Sequence, residues 1–255
     1  MFAATRWELG AIRRVMPVEQ RLEIDGLSCF AARYAGRTYW LVLTGIGPEA
    51  ADAAATAVLH RRRVALAISA GFAGALMPVA AVGDVIVATS VMSGTFNGTW
   101  TEVGTPIPCD ETVVRAVQAA AGIPLTVRSG SVVSLSTVLC GSVEKEHLGC
   151  LSGAIALDME SAAIGSVARA QGVPFAVVRT VSDVAREDLP LDFNAFLAPW
   201  GWLRGVGAIL IRPSSLIGLN RLRRQSRLAA DRLTAVCAAC AAHGFGLSPA
   251  SVGRA

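Results

Sequence analysis

The sequence predicts an α/β protein: a three-layer α/β/α sandwich around a mixed, largely parallel sheet, with a C-terminal helical extension. Short apolar runs such as 64–69 and 174–181 have the length and composition of buried strands. Helical stretches alternate with them, the pattern of a layered α/β domain. A chain of 255 residues is long enough to bury one full core.

In chain order, residues 39–44 read as a strand and 45–50 as a turn into an alanine-rich helix. Pro48 suits that helix's first turn, where a missing N–H costs nothing. Residues 64–69 form the next strand, 71–74 a glycine-rich loop, and 84–91 another strand. Residues 92–108 hold Gly, Asn, Thr and Pro with little periodicity and read as one long loop. A helix over 110–121 and a strand over 125–135 follow. The helix 161–171 ends at Gly172, with Pro174 just beyond, the usual stop signals. The strand 174–181 comes next, and Asp183 lies just past its C-terminal end. Ligands in open α/β sheets collect outside the carboxyl ends of strands. Glu160 opens the preceding helix, so the two carboxylates are neighbours in topology.

The expected division is a catalytic domain over 1–195 and an extension of the same domain over 196–255. Residues 196–211 are nearly all apolar, with Trp200, Trp202 and a lone Arg204. From residue 201 onward eight arginines face a single acid, Asp231. Leu222, Ser226, Ala229, Leu233, Val236 and Cys240 make one narrow stripe at helical spacing. Two readings of this tail stay open: a helical cap packed on the core, or an interfacial segment over 196–232 whose aromatic residues and arginines suit an anionic lipid surface.

The bulk properties exclude several classes. Mean hydropathy is +0.51, yet no uninterrupted apolar stretch of about 20 residues is present to span a bilayer. Arg6 and Glu8 break up any apolar leader, and the expected location is cytoplasmic, peripheral to the inner membrane if the tail meets lipid. Net charge is only +4, with the arginines concentrated late, so nucleic acid is not an expected partner. The six cysteines form no paired framework. Cys237 and Cys240 lack the second pair a zinc site requires, so neither metal nor cofactor is expected, and the two read as small apolar residues of a helix face.

Each candidate also has an ordinary explanation. Glu160 and Asp158 are what a helix N-terminus attracts, an effect of ~0.3–1 kcal/mol. Asp183 suits a turn. Arg179, on a buried strand, needs a carboxylate partner, with Asp183 and Glu160 as the candidates.

Taken together the motifs are more specific. Met159-Glu160 opening a helix, Ser182-Asp183 after the next strand, the run from Ser69 through Gly71 and Gly74 to Asp84, and the segment Ala4 to Glu8 occur in one order. In that order they resemble the nucleoside phosphorylase and nucleosidase superfamily, in particular nucleosidases of 5′-substituted adenosines. The resemblance spans residues 1 to about 195. It implies cleavage of an N-glycosidic bond, assembly as a homodimer or higher homo-oligomer, and a role for each matching residue. Asp183 would protonate the departing adenine, a contribution of ~10²–10⁴-fold for a general acid, given a proton affinity raised by burial or a like charge. Ser182 would accompany it. Glu160 would accept hydrogen bonds from the ribose hydroxyls, Met159 would pack the sugar's apolar face, and Glu8 would orient water. Ala73 and Gly74 would offer backbone N–H groups. Val138 and Leu139 would cover the base, where relatives often carry an aromatic residue; Phe72 stands where they carry a small one. Arg179 would support the carboxylates from behind.

Water and phosphate remain alternative nucleophiles. Glu8 favours water. A helix N-terminus after Gly45 and Gly47, together with Arg13, Arg14 and Arg37, would suit phosphate. The apolar tail resembles hopanoid-associated members of the superfamily, which remove adenine from adenosylhopane; futalosine and methylthioadenosine or adenosylhomocysteine are the alternative substrates. A different class is also open. Gly45, Gly47 and Ala50 fit a dinucleotide fingerprint, although the next strand ends at Ser69-Ala70-Gly71 without the acid that NAD binding requires.

Overall fold

A computed structural model describes residues 1–120, 122, 125–190, 194 and 215–247. The strands are β1 (Phe2–Ala3), β2 (Val18–Ile24), β3 (Leu27–Tyr34), β4 (Arg37–Leu43), β5 (Ala67–Ala75), β6 (Val85–Phe96), β7 (Trp100–Glu102), β8 (Ile107–Pro108), β9 (Val127–Ser134), β10 (Ala156–Asp158) and β11 (Phe175–Asp183). The helices are α1 (Arg6–Arg13), α2 (Pro48–Arg61), α3 (Glu111–Ala119), α4 (Ser142–Ser152), α5 (Ser161–Ala170) and α6 (Ser215–Ala241).

The sheet runs β10-β9-β6-β11-β5-β1-β4-β3-β2. Its centre is mainly parallel, with β11 antiparallel to β6 and the β4-β3-β2 edge an antiparallel meander. This is the mixed sheet the sequence predicts. One pairing goes beyond expectation: β10 also joins β5 antiparallel, Ala156 to Ala75 and Leu157 to Gly74, closing five strands on themselves. That closure draws the ends of β5, β10 and β11 together, which is where the candidate residues lie.

Central strand β11 is buried from Phe175 to Val181, as a strand covered on both faces should be. Helix α2 packs on α5, while α6 packs on α1 and α3, and both α5 and α6 reach β5 and β11. Local signals set the helix ends. Pro48 opens α2, Asp110 caps α3 through the Thr112 and Val113 N–H groups, and Gly153 closes α4 at φ 69°, a conformation glycine adopts without steric cost.

Several boundaries differ from expectation. The glycine-rich stretch 71–74 is no loop but part of β5, and Asp183 is the last residue of β11 rather than a residue beyond it. The expected loop 92–108 is largely strand: β6 continues to Phe96 and turns back through β7, while β8 pairs with Ser90 and Val91. Gly94 lies so close to Trp100 and the Thr101 carbonyl that a Cβ would not fit there, which explains a glycine inside a strand.

The apolar run 196–211 lies outside the described residues. Its continuation settles part of the tail question. In α6, Ala229, Leu233, Val236 and Cys240 are buried, together with Ala230, Cys237 and Ala241. Thr234 donates to the Ala11 carbonyl at 2.9 Å and Arg14 pairs with Asp231 at 2.6 Å. The second half of α6 is a core layer, and Cys237 and Cys240 serve as small apolar residues of it. Arg221, Arg223, Arg224 and Arg227 are exposed. No helix among the described residues is long and apolar enough to cross a membrane.

Candidate active site

A cavity of about 360 Å³ opens at the C-terminal ends of β5 and β11. Glu8, Ala73, Gly74, Val138, Leu139, Met159, Glu160, Ser182 and Asp183 all line it, beside Asp158, Phe72, Ile46, Leu157 and Leu189. Segments far apart in sequence thus bring their candidate residues to one place. Arg179 is the exception and lies behind the wall, 1% exposed.

Glu8 is buried and has two jobs. As the third residue of α1 it completes a capping box, its Oε2 accepting from the Thr5 N–H at 2.7 Å and the Thr5 hydroxyl at 2.8 Å. Its Oε1 accepts the Phe72 N–H at 2.7 Å. Each carboxylate oxygen has two lone pairs, so Oε1 keeps one for a water in the cavity. The helix cap also holds the carboxylate in place. A side chain at Gly71 would collide with the Glu8 carboxylate and the Arg179 guanidinium.

Arg179 is the hub beneath the site. Its guanidinium lies 2.8 Å from Asp158, 3.9 Å from Glu160 and 4.0 Å from Glu8. It also donates to the Ser69 and Ser161 hydroxyls at 2.8 and 2.9 Å. Burial opposes its charge, but Asp158, Glu160 and Glu8 outweigh that and hold its pKa above the ordinary value. Of the two expected partners, Glu160 lies beside it, while Asp183 pairs with Lys145 instead. Asp158, which the sequence offers only as a helix-dipole residue, is the principal partner, and it also accepts from Ser134, Ser161 and the Ser161 N–H.

Three carboxylates share one guanidinium, and Glu160 bears the consequence. Burial pushes its pKa up to about 7, with Asp158 and Glu8 adding to the rise and Arg179 and the Gly47 N–H opposing it. That Gly47 N–H, at the start of α2, donates to Glu160 Oε1 at 2.9 Å. The anion site expected at this helix N-terminus is therefore filled by the protein's own carboxylate. The same bond occupies the position a dinucleotide pyrophosphate would need.

Asp183 departs from expectation. In place of a like charge beside it there is a cation: its side chain is 14% exposed, and the Lys145 ammonium donates to Oδ2 at 2.8 Å. The Ser182 hydroxyl donates to Oδ1 at 2.9 Å. Lys145 is the functional neighbour that sequence reasoning missed. It stands between Glu144 and Glu146 in a stretch that reads as a solvated charge run, yet it is completely buried. The available hint was that it is the sole lysine among 23 basic residues.

Val138 and Leu139 are held at the rim by Asn194, whose amide donates to the Val138 carbonyl and accepts its N–H, both at 2.8 Å. The arginines considered for phosphate lie elsewhere. Arg13 stacks 4.7 Å over Phe30, Arg14 pairs with Asp231, and Arg37 bonds the Leu247 carbonyl. Among the described residues, neither arginine nor lysine lines the cavity. A larger cavity, about 570 Å³ beside Arg37, Tyr39 and Phe245, has no carboxylate among its described lining residues; chemical groups, not volume, single out the smaller one.

Fold and site thus define an α/β protein with a carboxylate-walled pocket at its strand ends. Residues 2–199 match the model of the phosphorylase superfamily, and the chain belongs to that family. Among solved structures it is similar to a Helicobacter pylori MTAN mutant with 5′-methylthioadenosine in the active site (19% identity, 92% of this chain and 95% of that one, TM-score 0.71). It is also similar to the Neisseria meningitidis 5′-methylthioadenosine/S-adenosylhomocysteine nucleosidase in complex with methylthio-immucillin-A (20%, 93% and 96%, TM-score 0.71) and to Helicobacter pylori futalosine hydrolase (20%, 92% and 94%, TM-score 0.70). At such identities the likeness is one of fold.

Proposed function

We propose that this protein is a purine nucleosidase that hydrolyses the N-glycosidic bond of a 5′-substituted adenosine and releases adenine. The observation that carries the reading is the convergence of Glu8, Glu160 and Asp183 on one cavity whose wall, among the described residues, has no arginine or lysine and whose adjacent helix N-terminus is already occupied. Such a wall repels phosphate and can orient water.

In this reading the C1′–N9 bond breaks with positive charge growing on the ribose and negative charge on the base. Asp183 gives a proton to the base at N7, and the electron pair of the broken bond leaves with adenine. Glu160, ionised, accepts the ribose hydroxyls and stabilises the cationic sugar. Water held by Glu8 adds to C1′ and passes its proton to that carboxylate. Two carboxylates in unlike environments take unlike parts. The stacking role falls to aliphatic groups, Val138 and Leu139.

The mouth favours an apolar 5′ substituent: Ile46 is 52% exposed at the rim, with Phe72, Leu157 and Leu189 alongside. That supports adenosylhopane, giving ribosylhopane in hopanoid biosynthesis, ahead of futalosine or methylthioadenosine and adenosylhomocysteine. The reading includes a homodimer or higher homo-oligomer, supported by exposed Trp7 beside Glu8. It also includes cytoplasmic, membrane-peripheral contact through 196–232, supported by the exposed arginines of α6. Adenine release from detergent-solubilised adenosylhopane, methylthioadenosine and futalosine, measured side by side, tests the substrate. Preference for the lipid nucleoside is expected; release from methylthioadenosine alone would reassign the protein to small soluble nucleosides.

A further inference from the structure

We propose, resting on the hydrolytic reading above, that Lys145 is a positioning residue of the general acid, fixing the Asp183 carboxyl against the base and stabilising the negative charge left on it when its proton departs. An ammonium has three hydrogens, and here each has an acceptor: Asp183 Oδ2 at 2.8 Å, the Glu187 carbonyl at 3.0 Å and the Val184 carbonyl at 3.3 Å. Among the described residues its one ion pair is with Asp183.

Fastening two carbonyls does not by itself require a charge. A fully buried ammonium is costly unless it is paired and hydrogen-bonded, and the pairing supplied here is the carboxylate at the end of β11. The other cation of this region, Arg179, is spent on Asp158, Glu160 and Glu8, so Asp183 depends on Lys145. Its platform is firm. Leu148 of the same helix is fully buried, and Gly149 lies so close to the Leu76 carbonyl that a Cβ would not fit between them.

The chemistry follows from that geometry. Paired with the ammonium through Oδ2, Asp183 takes a proton from solvent on Oδ1 before the reaction; as it hands that proton to the base, the charge returns to the carboxylate, and the fixed cation beside Oδ2 stabilises it without reorganisation. Lys145 keeps its own protons throughout. Oδ1, which among the described residues accepts from the neighbouring Ser182 hydroxyl alone, is left for the base. The turn 184–187 is tied to α4 by the same ammonium, so the acid cannot swing away with that turn.

The test is a double-mutant cycle on adenine release. Lys145→Met is expected to lower kcat about 10²-fold with KM changed no more than about threefold. Asp183→Asn should lower kcat at least as far, and the double variant should be no worse than Asp183→Asn alone, because residues acting as a unit are not additive. Lys145→Arg, which keeps the charge, should retain more activity than Lys145→Met. If Lys145→Met does not fold, propylamine should restore activity to Lys145→Ala where propanol does not. Multiplicative losses in the double variant, wild-type kcat in Lys145→Met, or equal rescue by propanol would overturn the assignment in an enzyme that is otherwise a nucleosidase. Absence of adenine release from the wild-type protein is a different result, and would overturn the hydrolytic reading and this inference with it.

Discussion

Glu160 carries the clearest pH signature. Its carboxyl titrates at about 7 in the folded protein, against an ordinary value of 4.5, chiefly because it is buried. A raised carboxyl favours folding while it holds its proton. Its contribution is fully present below about pH 4.5 and is lost as pH climbs through about 7. Thermal denaturation across that window should show the wild type losing ground to Glu160→Gln as pH rises; a pH-independent gap between the two would contradict the assignment. Activity runs the other way, since a sugar-binding carboxylate must be ionised. The value of kcat/KM should rise with pH through about 7. Arg179 makes a second residue-level prediction. Removing one partner from a buried ion-pair cluster typically costs ~3–5 kcal/mol, so Arg179→Met should lose about that much in urea denaturation. Its loss would also disturb Glu8 and Glu160, which no longer share a cation.

At the scale of elements, the site depends on how α1 begins and how α6 packs. Thr5→Ala removes the cap partner of Glu8, at a cost of ~0.5–2 kcal/mol. It should also lower kcat by loosening the water-holding carboxylate, so stability and turnover should fall together in parallel melts and assays. Leu233, fully buried in α6, should cost ~2–5 kcal/mol when cut to alanine; a near-neutral Leu233→Ala would mean that α6 is not part of the core.

The elements also mark what was legible in the sequence. Helix α5, strand β11 and the turn into α2 follow from punctuation the chain carries openly: Gly172 with Pro174, an unbroken apolar run, and Pro48. The motif order then pointed to the cavity residues, all of which line one pocket. Less was legible where structure is set by distant pairing. Gly71 to Gly74 look like a loop because glycine weakens a strand, yet they are strand because backbone passes close to Glu8, Arg179 and Asp183. Strands β2 and β3 form a meander from a stretch too mixed in polarity to declare itself. Lys145 sits in a helix with no strong apolar period, so its burial depends wholly on what packs around it.

For the whole molecule, closure of β5, β10 and β11 is what turns scattered carboxylates into a site. β10 pairs with β5 at Leu157 and Gly74, next to Asp158 and Asp183. Sheet geometry thereby fixes an arrangement in which Arg179 is ringed by three carboxylates and Asp183 is held by Lys145 on the far side. The most direct measurement of the central claim is single-enzyme turnover of a 5′-substituted adenosine in phosphate-free buffer made with oxygen-18 water, with Glu8→Gln in parallel. The account predicts adenine release with the heavy oxygen in the ribosyl product, and a loss of about 10²-fold or more in kcat for Glu8→Gln. Turnover that appears only when phosphate is added, yielding a ribose 1-phosphate and unaffected by Glu8→Gln, would contradict it.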